Sequence, residues 1–444
     1  MSTDPRHQTA TGHAPDPADA ARDGHIVLVI NAGSSSIKCS VYRVIDDPRV
    51  RGGARAIHGA GGQIEGIGVA PRLVAHMADG QLIVDEAFPV AQVADHDAAF
   101  RLLRLVLAVG LRDTPPAAIG HRVVHGGAAH TDAVVIDDKV IDELTALAPL
   151  APLHQPHNLA AIRAVRAAAP DLMQVACFDT AFHTTMGVME QLFALPYSYF
   201  KDGIRRYGFH GLSYEYISRH LHTVAPEIAD KRVIVAHLGN GASLCAMEDG
   251  KSVETTMGLT ALDGLPMGTR CGALDAGVVL WMMERGMQHD EIEKLLYQDS
   301  GLKGLSGRSS DMRELLASDS EQARLAVGFY AYRIAQDIGK LAVGLGGLDA
   351  LVFTAGIGEN APPVRAQVVE RLGPLFGMTL DPEANARNAT RISAAASRVP
   401  VFAIRTDEEG MIALHTARLL GEALRKEGKV AVPPESAAEG FLKT

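Results

Sequence analysis

Two stretches decide how this chain is built: Ile26 to Tyr42, IVLVI-NAGSSS-IKCSVY, and Val233 to Met247, VIVAHL-GNGAS-LCAM. Each is an apolar run, a loop of small residues with Gly and Ser, and a second apolar run. Setting Gly33 against Gly241 brings Ser35 opposite Ser243. A Gly/Ser turn lets backbone N–H groups approach an anion because no side chain stands in the way. Two such turns, about half a chain apart, predict a duplicated fold that holds a phosphorylated ligand in the cleft between its halves.

The bulk composition agrees with two lobes. A chain of 444 residues is too long for one ordinary core. At 47% hydrophobic and 21% charged it reads as a soluble globular protein. The net charge of −10 argues against an extended basic face for nucleic acid, so phosphate must be met locally. Cys39, Cys177, Cys245 and Cys271 are scattered and never in C-x-x-C spacing, which suggests reduced thiols in a cytoplasmic protein rather than zinc or disulfides. No apolar run approaches the roughly 18 residues that span a bilayer. Residues 1–24 are polar and lack the apolar stretch of a secretory signal, so a disordered N-terminal extension is expected.

Further along, β-type and helical segments alternate, the mark of an α/β class. Arg51 to Gly80 reads as a variable region punctuated by glycine, and Ala98 to Gly110 as a helix. Ala118 to Val124 is a strand running into His125-Gly126-Gly127. After the Pro-rich Ala148 to Pro156, Asn158 is placed to cap a helix. Leu172 to Phe178 is a strand ending at Asp179. Asp311 with Glu314 forms a capping box. A long helix, Glu321 to Leu345, leads to the strand Ala350 to Thr354, and Val401 to Ile404 is the last strand. The helix Glu409 to Leu424 is expected to return to the first half. The expected lobes are residues 25–178 with about 408–444, and residues 179–407.

The loop Asn31 to Lys38 has the composition of a P-loop but feeds a strand rather than a helix. It reads as a phosphate clasp of amides and hydroxyls with Lys38 nearby. A plain hairpin turn is the bland alternative, and the second copy weighs against it. In Gly120-His-Arg-Val-Val-His-Gly-Gly127, strand alternation puts His121, Val123 and His125 on one face and Arg122 with Val124 on the other. A guanidinium beside a small apolar residue suits a small carboxylic acid. Alternatively, Arg122 pairs with a local carboxylate. Asp179 and Glu408, each following a strand, are candidate Mg²⁺ ligands. Glu408 also reads as a first-turn acid favoured by the helix dipole. Arg270 in Met-Gly-Thr-Arg-Cys-Gly, together with Arg122, could neutralise a phosphoryl group in flight. His154 and His157 lack further ligands for a metal site. Gly356-Ile-Gly358-Glu-Asn360 follows a strand and suits a nucleotide at a helix N-terminus.

Nine motifs in order, NAGSSS-IK, GHRVVHGG, PLH, FDTAFH, YGFHG, HLGNGAS, MGTRCG, GIGEN and TDEE, make the chain resemble the acetate kinase family from about Ile26 to about Leu420. That resemblance implies the duplicated actin-like, ribonuclease H-like ATPase fold shared with sugar kinases and hsp70 chaperones: α/β, two lobes, a central cleft. It implies reversible phosphoryl transfer between ATP and acetate, with Mg²⁺ (Mn²⁺ as a possible substitute) and a homodimer joined through the second domain. Arg122, Asp179, His210 and Arg270 would be catalytic, and Asn31, Asp179 and Glu408 would hold the metal. Val124, Leu153 and Phe209 would line the acyl pocket. Nucleotide contacts would fall to Asn31, Ser34, Ser36, Lys38, His237, Leu238, Gly239, Asn240, Gly241, Asp311, Met312, Arg313, Gly356, Ile357, Gly358 and Asn360.

The chain departs from the family pattern at Ala273 and Ala276, where Asp and Pro are common. It also has Leu212-Ser213-Tyr214 in place of Thr-Ser-His, and an unexpected Arg308. Three rival activities share the fold. A propionate or other short-chain acyl kinase differs by one methylene, worth only about 1–3 kcal/mol. An ATPase module without an acid acceptor would need a client-binding region. A sugar kinase would use Asp179 as general base, but the Arg122/Val124 pairing fits an acid better.

Overall fold

A computed structural model describes residues 24–33, 36–50, 52–111, 114–152 and 154–426. The expected extension, apart from Gly24, lies outside the described residues, as do Ser34, Ser35 and Leu153. The chain divides into two compact units, residues 1–181 with 407–444, and residues 182–406.

The first unit is built on β1 (His25–Ala32), β2 (Ser36–Asp46), β3 (Ala54–Glu65), β4 (Arg72–Met77), β5 (Leu82–Ala87), β6 (Ala118–Val123), β7 (Val134–Val135) and β8 (Gln174–Phe178). Their order in the sheet is β5-β4-β3-β2-β1-β6-β8-β7. The second unit holds β9 (Val233–Leu238), β10 (Ala242–Glu248), β11 (Lys251–Thr255), β12 (Ala350–Thr354) and β13 (Val401–Ala403), in the order β11-β10-β9-β12-β13.

The duplication is visible in the pairing. β3-β2-β1-β6-β8 and β11-β10-β9-β12-β13 share one order and one sequence of senses: two antiparallel pairs, then two parallel pairs. Each middle strand is apolar on both faces because helices cover both sides. In the first unit, helices His96–Leu111 and Gln155–Ala168 pack Phe100, Leu103 and Val165 against Leu28, Ile30, Cys39 and Ile119. The opposite face meets helix Glu408–Lys426, whose Ile412 and Thr416 stand over Gly120. In the second unit, Tyr214, Ile217 and Leu221 of helix Gly211–Val224 pack on Val233, Val235, Val352 and Phe402.

Several expectations are corrected. The hairpins close at Ala32↔Ile37 and Leu238↔Ala242, so Gly33 corresponds to Gly239 rather than Gly241. Ser243 lies inside β10, paired with His237, and the second loop is one residue shorter. Strand register, which a gapless match of the loops cannot see, sets the equivalence. Asn158 does not cap its helix. It sits inside Gln155–Ala168, accepting from Val124 N at 3.1 Å and donating to Ala32 O at 2.7 Å. Asp311 does cap Met312–Leu316, but its own N–H goes to Ser309 Oγ instead of closing a box with Glu314. The glycine-punctuated region turns out to be ordered strand, β3 and β4. Gly61 and Gly62 lie within β3, where Cβ atoms would stand 3.1 Å from Ser40 and Ala75.

Candidate active site

In the first unit, the site residues gather where β6 and β8 end and the Glu408–Lys426 helix begins. β6 and β8 run parallel with Arg122 beside Cys177, and Asp179 N–H donates to Val123 O at 3.1 Å. That register brings Arg122 and Asp179 together. Arg122 Nη2 and Nε reach the Asp179 oxygens at 2.6 and 3.0 Å, with Asp179 only 2% exposed. Shielding from water opposes the charge on Arg122. Asp179 and Glu408, with Glu409, more than offset this and hold the guanidinium above its ordinary value. The alternative reading of Arg122, pairing with a local carboxylate, is therefore realised, and the carboxylate is the candidate metal ligand.

Glu409, next on the same helix, takes a short hydrogen bond from Ser40 Oγ of β2. Burial pushes its carboxyl above the usual range, although Ser40 and nearby Lys38 act the other way. Asn31 and Lys38 face each other across β1 and β2, with Lys38 exposed. Val124 is buried just past β6, its N–H held by Asn158. The carboxylates of Asp179 and Glu408 are hard oxygen donors, both close enough to act on Arg122, and that donor chemistry suits Mg²⁺.

In the second unit the turn Gly239-Asn240-Gly241 is the centre. A Cβ on Gly241 would lie 3.2 Å from His210 Nε2 and 3.9 Å from Arg270 Nη1, so both side chains border the space that Gly241 leaves open. His210 precedes helix Gly211–Val224 in a left-handed conformation, φ 59°, and its ring stacks on His237 at 4.2 Å. Its Nδ1 meets Ser243 Oγ at 2.8 Å. Arg270 is held from behind by Ala261 O at 2.9 Å. A Cβ on Gly268 would displace the Asn240 side chain.

Helix Ala355–Asn360 follows β12, whose Thr354 pairs with His237. The Gly239 turn comes close to its first residue, 3.8 Å from a Gly239 Cβ to Ala355 Cβ. Gly356 and Asn360 are exposed there and Ile357 half-buried, whereas Gly358 is buried. Leu238 and Met312 point into the core, so only their backbone groups are available. Arg313 is exposed and locked to Asp311 at 2.5 Å. Phe209 is buried beside His210, its carbonyl held by His183 Nε2 at 2.9 Å.

The sequence places Asn158 as a cap and Ser243 opposite Ser35, and it gives His183 of FDTAFH and Ala261 no role. Their supporting contacts, to Val124, His210, Phe209 and Arg270, appear only in the folded chain.

Against known proteins, the model of the Acetokinase family matches residues 26–414. An acetate kinase of Nitrobacter hamburgensis is 52% identical over 395 residues, covering 89% of this chain and 96% of that protein. One from Rhizobium meliloti is 49% identical with similar coverage. Among solved structures, a propionate kinase from Francisella tularensis superposes with a TM-score of 0.79 at 36% identity, covering 89% of this chain and 99% of that one. The Porphyromonas gingivalis acetate kinase gives 0.76 at 37%, covering 89% and 100%. A family match over residues 26–414, relatives near half identity and a twice-used β-sheet plan agree: this chain belongs to the acetokinase family, on the duplicated actin-like ATPase fold.

Proposed function

We propose that the protein catalyses reversible transfer of a phosphoryl group between ATP and acetate, giving ADP and acetyl phosphate by direct in-line displacement. The observation that carries this reading is the opening at Gly241, where the residue has no side chain and His210 and Arg270 border the space. Acetate is already ionised at neutral pH, so the acceptor needs no general base. The work left is positioning and neutralising charge. In this reading Arg122 and Arg270 take up charge on the transferring group, and His210 donates a hydrogen bond to it. Val124 and Phe209 are assigned to the methyl group as apolar residues, as is Leu153, which lies outside the described residues. Asn31, Asp179 and Glu408 would hold Mg²⁺, or Mn²⁺ in its place, which supplies charge neutralisation on the nucleotide phosphates. Ser36, Lys38, His237, Asn240 and Gly241 would serve those phosphates, and Asp311, Arg313, Gly356, Ile357 and Asn360 the adenosine end. Because Asp179 already pairs with Arg122, a metal held there would share that carboxylate with the guanidinium.

The reading extends to a cytoplasmic homodimer joined through the second unit. Helix Ala276–Glu284 supports this, because Leu280, Trp281 and Met283 are all more than half exposed on an almost uniformly apolar segment. Among the described residues, no helix is long and apolar enough to cross a membrane.

The test is a hydroxylamine trap for acyl phosphate, run with magnesium-ATP in the presence and absence of acetate. Hydroxamate that appears only with acetate supports the reaction. ATP hydrolysis indifferent to acetate would overturn it.

A further inference from the structure

Tyr214 is one of the places where the chain departs from its family pattern, and its surroundings give it a task. It sits one helical turn after His210, on the first turn of Gly211–Val224, and is fully buried. Its hydroxyl lies 2.5 Å from Ser243 Oγ, and Ser243, also fully buried, lies 2.8 Å from His210 Nδ1. Three side chains from a helix, a strand and a turn therefore form one hydrogen-bonded line.

We propose that Tyr214 and Ser243 are positioning residues that hold His210 in the neutral tautomer carrying its proton on Nε2. A serine hydroxyl has one proton to give. Of the two hydroxyls, the phenol is the more acidic, hence the better donor and the poorer acceptor. Tyr214 O–H donates to Ser243 Oγ, and the Ser243 proton is directed to His210 Nδ1. An Nδ1 that accepts must be bare, so the ring proton sits on Nε2. Nε2 is the atom nearest the opening at Gly241, with Arg270 Nη1 bordering the same space. The His237 ring, stacked at an interplanar angle of 12°, fixes the plane in which that proton points. A donor aimed in advance at developing charge costs no reorganisation when the charge arrives. The consequence for catalysis rests on the phosphoryl-transfer reading; the tautomer itself does not.

The test reads both separately. Full-length protein with ¹⁵N-labelled histidine is examined by long-range ¹H–¹⁵N spectra without nucleotide or acid, His210→Gln identifying the His210 signals by their loss. The wild type is expected to show His210 protonated at Nε2 with Nδ1 bare. Ser243→Ala should spread the proton onto Nδ1, and Tyr214→Phe should do so in part. In the kinase assay, both variants should lose between about twofold and tenfold in kcat, the scale of one neutral hydrogen bond. KM for acetate and for magnesium-ATP should move by less than about twofold, as for an interaction realised in the transition state. A wild-type His210 protonated at Nδ1 overturns the proposal, as does a tautomer that ignores Ser243→Ala. Should Ser243→Ala not fold, the wild-type spectrum and Tyr214→Phe still decide. Wild-type protein that makes no acyl phosphate sinks the reaction assignment and leaves the tautomer result standing.

Discussion

Arg122 is a candidate for phosphoryl transfer that also makes a buried ion pair. Its pairing with Asp179 is what a structural arginine would make, yet the pair sits at the strand ends where ligands collect in α/β sheets. If Arg122 and Arg270 neutralise the migrating group, Arg122→Ala and Arg270→Ala should each lower kcat by about 10³-fold or more. ATP affinity should change far less. Steady-state kinetics beside a nucleotide-binding titration checks this, and equal losses in both would contradict the assigned role. Arg122→Lys is the needed companion, because removing the charge outright strands a buried Asp179. Gly241→Ala is a sharper probe: a methyl 3.2 Å from His210 Nε2 should cut kcat while leaving the melting temperature nearly unchanged. At this scale the sequence singles out Arg122, Asp179, His210 and Arg270 as candidates, since each sits in a short glycine-containing motif or at a strand end. Asn158 and Ser243 were misread, because their partners are fixed by tertiary packing and not by sequence neighbours.

At the scale of elements, the C-terminal helix matters most for the first unit. Glu408–Lys426 presses on β6 so closely that a Cβ at Gly120 would lie 2.3 Å from Thr416 Oγ1 and 2.5 Å from Ile412 Cγ2. Gly120→Ala should therefore cost about 1–3 kcal/mol of stability through overpacking. It should also lower activity by shifting the helix that begins at Glu408. A urea titration and an acyl-phosphate assay on one preparation would show both; normal values in both would refute the contact. The return of this helix to the first half could be read from the sequence as an expectation. Its closeness to β6 depends on an absent side chain that only a packed partner makes significant. β3 and β4 were illegible for a related reason: Gly61 and Gly62 resemble turn residues until Ser40 and Ala75 are seen to need their space.

Over the whole molecule, two buried histidines set a pH dependence. Burial lowers His121 and His183 to about 4, against hydrogen bonds to Gln174 and Phe209 that act the other way. Both are neutral when folded and protonate near 6.5 once unfolded. The unfolded chain binds more protons between these values, so their stabilisation is complete above about pH 6.5 and is lost as pH falls toward 4. Each should contribute a slope of up to about 1.4 kcal/mol per pH unit in that window. Glu359 and Glu409, raised by burial, contribute with the opposite sign. The clean measurement is thus the difference in urea-derived stability between the wild type and His183→Asn across pH 5 to 7, expected to narrow as pH falls. Association belongs to this scale too. Trp281→Glu should shift the protein toward monomer in sedimentation, and a wild type that runs as a monomer would remove the dimer from the proposal.

The chain by itself determined the two-fold plan, the α/β class and the family, because apolar period, glycine turns and short motifs are local properties of the sequence. Tertiary structure alone decided which loop residues are equivalent, that Arg122 and Asp179 share a hydrogen-bonded pair, and that Ser243 stands between Tyr214 and His210. The first two depend on the register of one strand against another and the third on a helix docked against a strand, and both are set by the packing of faces rather than by any segment alone.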